Sequence, residues 1–136
     1  MPEHPSLKPP VGTFTSPAGR AFTVGHGEHT ERWPGDPLWC DAWPILHEGK
    51  PAGKLYRDLS YGKTEAGLPR WHASTLDLFW AKASDAPIGV GFDVAAFDSA
   101  LEGLASWSRS ADQILDWAEG KPVRSIYSKT GVFQKT

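Results

Sequence analysis

An alternating pattern of apolar and polar residues is clearest between residues 54 and 61. The two sets are Leu55, Arg57, Leu59 and Tyr61 on one side, and Tyr56, Asp58 and Ser60 on the other. Such period-two alternation predicts a β-strand. Residues 49–53 contain two glycines and a proline, which are typical of a turn, and residues 38–47 are apolar and aromatic enough for a partner strand. Residues 38–61 are therefore predicted to form a β-hairpin.

Pro44 interrupts the first strand of this hairpin. Because proline has no backbone N–H to donate to a ladder, the strand is predicted either to lie at a sheet edge or to carry a bulge. Earlier in the chain, Phe22 and Val24 alternate onto one face and predict a short strand over residues 20–24. Residues 25–37 are rich in glycine and proline and predict a loop.

Residues 70–92 carry two competing patterns. Residues 74–77 resemble a capping box, and the apolar residues that follow fall on one helical face. The same residues can also continue a strand. The favoured interpretation is a strand at 70–74 followed by a helix at 75–84. Residues 88–92 then form a short strand or an extended connector.

The C-terminal third carries a helical pattern. Apolar residues recur there at three- and four-residue spacing, at Val94, Phe97, Leu101, Leu104, Ala111, Leu115 and Ala118. The serine-rich stretch 106–110 is a poor helix interior and leads into a second capping box. The sequence therefore predicts two helices, roughly 94–107 and 111–119, instead of one long helix. A glycine and a proline end the second helix, and residues 123–127 are compatible with a last strand.

Together these elements predict a small α+β fold, in which an antiparallel sheet is built on a central β-hairpin and two or three helices lie mostly in the C-terminal third. The first 19 residues hold five of the twelve prolines and no hydrophobic periodicity, so they are predicted to form an extended or disordered arm. A single domain is predicted over residues 20–128, followed by a polar tail at 129–136. The length of 136 residues suits one domain.

Cysteine usage and apolar runs narrow the class of protein. Cys40 is the only cysteine, so the chain has no internal disulfide and no thiolate-rich zinc site. No apolar run approaches the roughly 20 residues of a membrane-spanning helix, and a membrane partner is not expected. The first residues lack the basic stretch and apolar block of a secretory signal. We therefore expect a soluble protein in the cytoplasm.

Charge is unevenly distributed along the chain although its net value is only −2. Residues 28–48 carry five acidic side chains against one arginine, and residues 93–119 carry six against one. The basic side chains of the segment 50–72 are Lys50, Lys54, Arg57, Lys63 and Arg70. Aromatic residues alternate with them, a mixture found on surfaces that bind single-stranded nucleic acid. The acidic helical segment would repel a phosphate backbone unless it faced away.

Tryptophan is the most over-represented residue type, with seven in the chain. A core of this size takes about three or four. Trp39 and Trp43 share a strand face because an even number of residues separates them. Trp33 has no core-facing period, so it is the first candidate for an exposed interface residue, and Trp43, next to a proline, is the second. The predicted binding surface consists of Trp33, Trp39, Trp43, Tyr56, Arg57, Tyr61 and Trp71.

A short histidine cluster is the candidate metal site. His26 and His29 flank Glu28, and the neighbouring glycines would let the loop curl until the three side chains meet one ion. Asp41 or His47 on the hairpin would complete the coordination. Zinc or a similar ion is the cofactor that this cluster would take, and no other cofactor is predicted.

No catalytic residue is predicted. Asp41, His47, Asp58 and His72 are of the types that acid–base catalysis uses, but catalysis needs such groups to converge in a pocket, which spacing alone does not indicate. Cys40 lies in an apolar strand, where a lone cysteine packs as a small hydrophobe.

Three functional hypotheses follow from these features. The first is a non-enzymatic accessory or regulatory protein that docks on a larger protein partner through the aromatic hairpin and the acidic helices. Inhibition by mimicking nucleic acid is one form of this hypothesis. The second is a small metal-dependent hydrolase that uses His26, Glu28 and His29. The third is binding of single-stranded nucleic acid through the basic segment 50–72.

Overall fold

The computed structural model describes residues 7–91, 96–124 and 132–134. The fold is mixed α+β, with an antiparallel sheet packed against one long helix. The strands are β1 (Thr13–Thr15), β2 (Ala21–Val24), β3 (Glu28–Thr30), β4 (Cys40–His47), β5 (Lys50–Lys63), β6 (Pro69–Thr75), β7 (Val123–Arg124) and β8 (Val132–Phe133). The helices are α1 (Asp77–Trp80), which runs into a 3-10 turn at Ala81–Ala83, and α2 (Ala100–Ala118).

The sheet has the strand order β1-β2-β4-β5-β6, and β3 pairs with the first half of β4. Every pairing in it is antiparallel. The predicted hairpin over residues 38–61 is present as the pair β4–β5. Its two-residue turn is Glu48-Gly49, with φ of 53° and 77°. Positive φ at both positions is what a type I′ turn requires, so the turn is shorter than the predicted 49–53.

Pro44 does not lie on an edge strand, because β4 has β2 and β3 on one side and β5 on the other. The ladder shifts register between Ile45 and Leu46, one residue beyond the proline. This irregularity is the second of the two outcomes that a proline in a strand predicts. The Pro44 carbonyl still accepts a hydrogen bond from the Gly25 N–H at 2.8 Å.

The core lies between one face of the sheet and α2. Its buried side chains include Phe22, Val24, Trp43, Ile45 and Leu55 from the sheet and Leu104, Trp107 and Ile114 from the helix. The Trp107 ring meets the Phe22 ring edge-on at 5.0 Å, and its Nε1–H donates to the Ser74 carbonyl at 3.1 Å. A Cβ on Gly53 would lie 2.6 Å from that Nε1, so only glycine lets β5 approach the indole this closely.

Helix α2 is continuous from Ala100 to Ala118, so the prediction of two helices broken near residues 107–111 is wrong. The serines do not interrupt it because tertiary packing buries Ser108 and Ser110, while Ser106 is partly buried. The Ser108 Oγ donates to the Ala105 carbonyl at 2.8 Å, a bond that a serine in a helix interior commonly makes. Ser99 caps the helix by accepting from the Glu102 N–H at 3.2 Å. Residues 94 and 95 of the predicted first helix lie outside the described residues.

From residue 7 onward, the proline-rich N-terminal segment is extended and contacts the sheet and α2. Strand β1 pairs with β2, and Phe14 packs against the core. The Ser16 hydroxyl donates to Asp112 Oδ1 of α2 at 2.6 Å, and the Ala18 N–H donates to Oδ2 of the same carboxylate at 3.0 Å. A polar network therefore attaches this segment to the helix.

The remaining sequence predictions divide by region. The strand at 70–74 and the helix at 75–84 are confirmed as β6 and as α1 with its 3-10 turn, while residues 88–91 form turns. Residues 25–37 were predicted to form a loop, but they contain strand β3. Residues 125–127 lie outside the described part of the chain. Within the described ranges, no helix has the length and apolar character needed to cross a bilayer.

Candidate binding surface

The residues of the predicted binding surface lie on two opposite faces of the sheet. We call the face that packs on α2 the inner face and the opposite one the outer face. Register places Arg57 opposite Asp41 and Trp71, whereas Tyr56 lies opposite Ala42 and His72. Because successive side chains of a strand point to opposite faces, Arg57 and Tyr56 lie on different faces and cannot belong to one continuous surface.

On the inner face, three indoles surround one arginine. The guanidinium carbon of Arg57 lies 5.6 Å from the ring centroid of Trp39, 6.0 Å from that of Trp43 and 5.0 Å from that of Trp71. These four residues are called the indole cluster. Trp39 and Trp43 share a face as predicted, but Trp43 is only 3% exposed, so its predicted exposure is wrong. Indole faces attract a cation, which stabilises this packing.

Asp41 pairs with the arginine of the indole cluster. Its buried carboxylate contacts Arg57 Nη2 at 2.7 Å and His29 Nδ1 at 2.5 Å. The antiparallel pairing of β3 with β4 places His29 directly opposite Asp41. The other ring nitrogen of His29, Nε2, lies 3.6 Å from the Glu31 carboxylate. A buried carboxylate is stable only when paired and hydrogen-bonded, and this set provides both.

Residues 31–38, called the Trp33 loop, expose their aromatic residue instead. Trp33 is 52% exposed, as its setting predicts, and Leu38 is exposed beside it in the sequence. The guanidinium of Arg32 lies 4.5 Å from the Trp33 ring centroid. Since Arg32 is itself solvent-accessible, the pair forms a surface feature with an apolar and a cationic part.

A fully buried carboxylate organises the Trp33 loop. The Asp36 side chain is 0% exposed, and its oxygens accept from Arg32 Nε and Nη2 at 2.7 and 3.0 Å. They also accept from the backbone N–H groups of Arg32 at 3.2 Å and Leu38 at 2.9 Å. The hydrogen bonds from Arg32 outweigh burial and hold the pKa of Asp36 well below its ordinary value. Four donors on one carboxylate fix both ends of the loop.

On the outer face, an aspartate orients a histidine within an aromatic stack. His72 Nε2 lies 3.3 Å from each oxygen of Asp58. The His72 ring stacks on Tyr56 at 4.9 Å and 12°, and Tyr61 meets it edge-on at 4.7 Å. Burial would raise the pKa of Asp58, but hydrogen bonds from Ser60 and His72 outweigh it and lower that pKa. The stack is therefore held by packing and by charge.

The thiol of Cys40 lies near the same carboxylate. Burial, followed by the neighbouring Asp58, raises the pKa of Cys40 to about 11. A thiol with so high a pKa is neutral at physiological pH, and the thiolate is the nucleophilic form. Cys40 therefore has the properties of a packed residue, as the sequence predicts.

The proposed metal ligands are not brought together. His26 and Glu28 border a small outer-face hollow of about 130 Å³, whereas His29 points to the inner face and binds Asp41. His47 packs instead between Phe22 and Phe79. Among the residues that the structure describes, no group of three or more suitable side chains could hold a metal ion.

The acidic residues of α2 are partly neutralised inside the domain. Arg20 contacts Asp112 at 2.9 Å and both Asp116 and Glu119 at 2.6 Å. Burial would lower the pKa of Arg20, but these hydrogen bonds raise it above its ordinary value. The acidic helix therefore presents less free negative charge than its sequence indicates.

Sequence reasoning did not single out Asp36 and Leu38, which define the Trp33 loop. It named His72 only as a residue of a type used in acid–base catalysis, and in the structure His72 completes the outer stack. Spacing offered a signal for His72, since its strand pairs with β5 and places it on the face of Tyr56. The burial of Asp36 has no periodic signal, because it depends on a loop closing over the carboxylate.

Comparison with known proteins adds no assignment. The chain matches no family model, no curated protein and no solved structure. Its function must therefore be inferred from the geometry of its own residues.

Proposed function

We propose that this chain is a non-enzymatic binding protein that docks on a larger protein partner through the Trp33 loop. The observation that carries the proposal is the exposure of Trp33 on a loop held by a fully buried carboxylate. A flexible loop would let the indole pack against the protein, but Asp36 fixes the backbone on both sides of it.

The ordered loop favours binding because it is already fixed before a partner arrives. Association costs less when interface side chains and loops are already ordered in the free protein. Tryptophan and arginine are the residues most enriched among those that dominate binding energy. The Trp33 loop presents both, stacked on each other, with the exposed Leu38 nearby in the chain.

The rest of the predicted surface supports docking to different degrees. Tyr61 is exposed and Tyr56 half-buried on the outer face, so they can belong to a contact surface. Trp39, Trp43 and Trp71 instead pack against Arg57 on the inner face. Their packing gives them a role in stability.

Mimicry of nucleic acid has less support than docking in general. Such an inhibitor needs an open row of negative charges. Two carboxylates of α2 and that of Glu119, which follows the helix, contact Arg20 instead. The metal-dependent hydrolase has no support in the arrangement of His26, Glu28 and His29, which lie on different faces.

A capture experiment with matched variants tests the proposal. Tagged protein carrying Trp33→Ala should lose its partner, because truncating a dominant interface tryptophan costs about 2 kcal/mol or more, roughly a 30-fold loss of affinity. Leu68→Ala is the control, since Leu68 is also exposed, at 61%, but lies in the turn before β6. Capture that Trp33→Ala leaves intact, or that Leu68→Ala weakens as much, would contradict docking through this loop.

A second variant separates the indole from its preorganisation. Asp36→Asn retains the side-chain shape but removes the charge that Arg32 pairs with. The loop should become more mobile while Trp33 stays present, so affinity should fall by less than with Trp33→Ala. Unchanged affinity in Asp36→Asn would show that the ordered loop contributes nothing to binding.

A further inference from the structure

We propose that a cleft between β6 and α1 binds a planar heteroaromatic ring of the nucleobase type. The residues that border this cleft, called the β6 cleft, include Tyr61, His72, Ser74, Thr75, Asp77 and Trp80. The cleft is separate from the Trp33 loop and from the indole cluster. The inference therefore goes beyond the proposed docking function and stands independently of it.

The size of the β6 cleft suits one ring with its substituents. Its volume is about 340 Å³, near the lower end of the roughly 300–1,000 Å³ of small-ligand pockets. It combines two aromatic side chains with several short polar ones. Such pockets use the apolar surface for affinity and a few placed polar groups for orientation.

The first aromatic border is built and rigid. Tyr61 is 54% exposed, yet its ring is fixed edge-on against His72. His72 is in turn held by Tyr56 through stacking and by Asp58 through Nε2. Stacking surfaces fixed in this way lose little side-chain entropy when a ligand ring packs on them.

The second aromatic border is fixed by close packing. A Cβ at Gly91 would lie 2.7 Å from the Trp80 ring and 2.7 Å from Ile114, so glycine alone fits there. The Gly91 N–H also donates to the Gln113 side chain at 2.6 Å, which ties this contact to α2. Trp80 remains partly exposed in this setting. A large aromatic surface is therefore held open beside the cleft.

The polar groups of the cleft match the edge of a nucleobase. The carboxylate of Asp77 accepts N–H groups, and the hydroxyl of Ser74, on the same face as His72, both donates and accepts. Nucleobase edges carry ring N–H, amino and carbonyl groups in alternation, so they can use both kinds of partner. An aliphatic ligand would leave these groups without hydrogen bonds.

Two lysines lie beside cleft residues in the strand register or in the sequence, although neither borders the cleft itself, and they suit the phosphate attached to such a base. Lys54 lies directly opposite Ser74 in the β5–β6 register, and Lys63 follows Tyr61 by two residues. Both lysines are exposed. The base can come from a free nucleotide or from an unpaired position of a nucleic-acid strand, since both present a ring and a phosphate.

Isothermal titration calorimetry of the full chain tests this site. The probes are the four ribonucleoside 5′-monophosphates and a short oligothymidylate, each at low salt. We expect saturable binding of at least one probe, weakened about 10-fold by Tyr61→Leu and by Trp80→Leu, because each removes a stacking surface. Binding by the mononucleotides identifies a free nucleotide as the source of the base. Binding by the oligonucleotide alone identifies a strand.

Controls keep the test decisive. Leu78→Ala changes an exposed residue of the same helix that does not border the β6 cleft, and it should bind like the wild type. Tyr61 is exposed, so Tyr61→Leu should remain folded even if Trp80→Leu does not. No saturable binding up to about 1 mM, the range of weak specific association, overturns the proposal. Binding that Tyr61→Leu leaves unchanged, or that Leu78→Ala lowers equally, also overturns it. Partner capture through Trp33 is unaffected by either result.

Discussion

The Trp33 loop and the indole cluster use the same three residue types in opposite settings. In each, a buried aspartate holds an arginine, and that arginine lies over tryptophan. Arg57 contacts three indoles on the inner face of the sheet, of which Trp43 is buried and Trp39 and Trp71 are half-buried. Arg32 covers one indole that remains open to solvent.

The difference lies in what closes over the aromatic ring. β-Strand pairing brings Asp41, Arg57 and Trp71 into one row, and the domain packs around them. The Trp33 loop has no strand partner over it, so Asp36 stabilises the backbone without covering the indole. Similar chemistry therefore serves the core in one place and a surface in the other, and each can be tested by substitution.

The largest expected difference in the free energy of unfolding is between alanine variants of two tryptophans. Trp43→Ala should cost about 3–5 kcal/mol in the free energy of unfolding, because it empties a buried site in the indole cluster. Trp33→Ala should stay within about 0.5 kcal/mol of the wild type, as for most surface substitutions. Chemical denaturation measures both. Equal destabilisation by the two variants would mean that Trp33 also supports the core.

Replacing Asp41, which pairs with the arginine of the indole cluster, should lower the free energy of unfolding nearly as much. Asp41→Asn removes the charge shared by Arg57 and His29, and breaking one partner of a buried ion pair costs about 3 kcal/mol or more. Arg57 is partly exposed, which places the loss at the lower end of that range. Thermal melts check this result, with the surface variant Glu102→Gln as control. A melting temperature equal to that of the wild type would contradict a structural role for Asp41.

Removing the N-terminal segment should have a somewhat smaller effect. A chain that starts at Gly19 lacks β1 and the Ser16 hydroxyl that donates to Asp112. We expect the melting temperature to fall by about 10 °C, which corresponds to roughly 2–3 kcal/mol for a domain of this size. A chain that starts at Leu7 is the control, since it keeps β1 and the Ser16 hydroxyl. A fall of only a degree or two at Gly19 would restore the separate arm that the sequence indicated.

Lowering the pH from 7 to 4 should change the free energy of unfolding less than any of these substitutions or the truncation does. The pKa values of Asp36, Asp58 and Glu119 are all lowered in the folded protein. A lowered folded-state pKa contributes stability that is present above the unfolded pKa of about 4 and is lost as the pH falls through the folded value. Unfolding free energy should therefore be nearly constant down to about pH 4 and decline below it. A decline that begins near pH 6 would contradict this assignment.

Local patterns predicted the parts of the fold that depend on neighbours in the sequence. The β4–β5 hairpin follows from alternation and turn residues, and the shared face of Trp39 and Trp43 follows from their spacing. Helix α2 was predicted as two pieces because serine propensity says nothing about Ser108 being buried with its hydroxyl bonded to Ala105. Tertiary packing decided that outcome.

The candidate sites depend more on contacts between distant segments. Whether Trp43 is exposed depends on Arg57 and on the N-terminal segment, whose Lys8 carbonyl accepts a hydrogen bond from the Trp43 Nε1–H at 3.2 Å. Spacing within β4 cannot show either contact. The metal hypothesis assumed that the loop containing His26 and His29 curls until both side chains reach one ion. Strand β3 instead turns Glu28 and His29 to opposite faces.

The most direct test follows Trp33 itself while the partner binds. Protein labelled with fluorotryptophan should give seven fluorine NMR resonances, one for each tryptophan, and Trp33→Phe assigns the one from the Trp33 loop. In the free protein that resonance should respond strongly to replacing H₂O with D₂O, because Trp33 is half exposed. After addition of the captured partner, the account predicts that it shifts and loses this response while the Trp43 resonance changes little. A Trp33 resonance that keeps its solvent response in the saturated complex would contradict docking through the Trp33 loop.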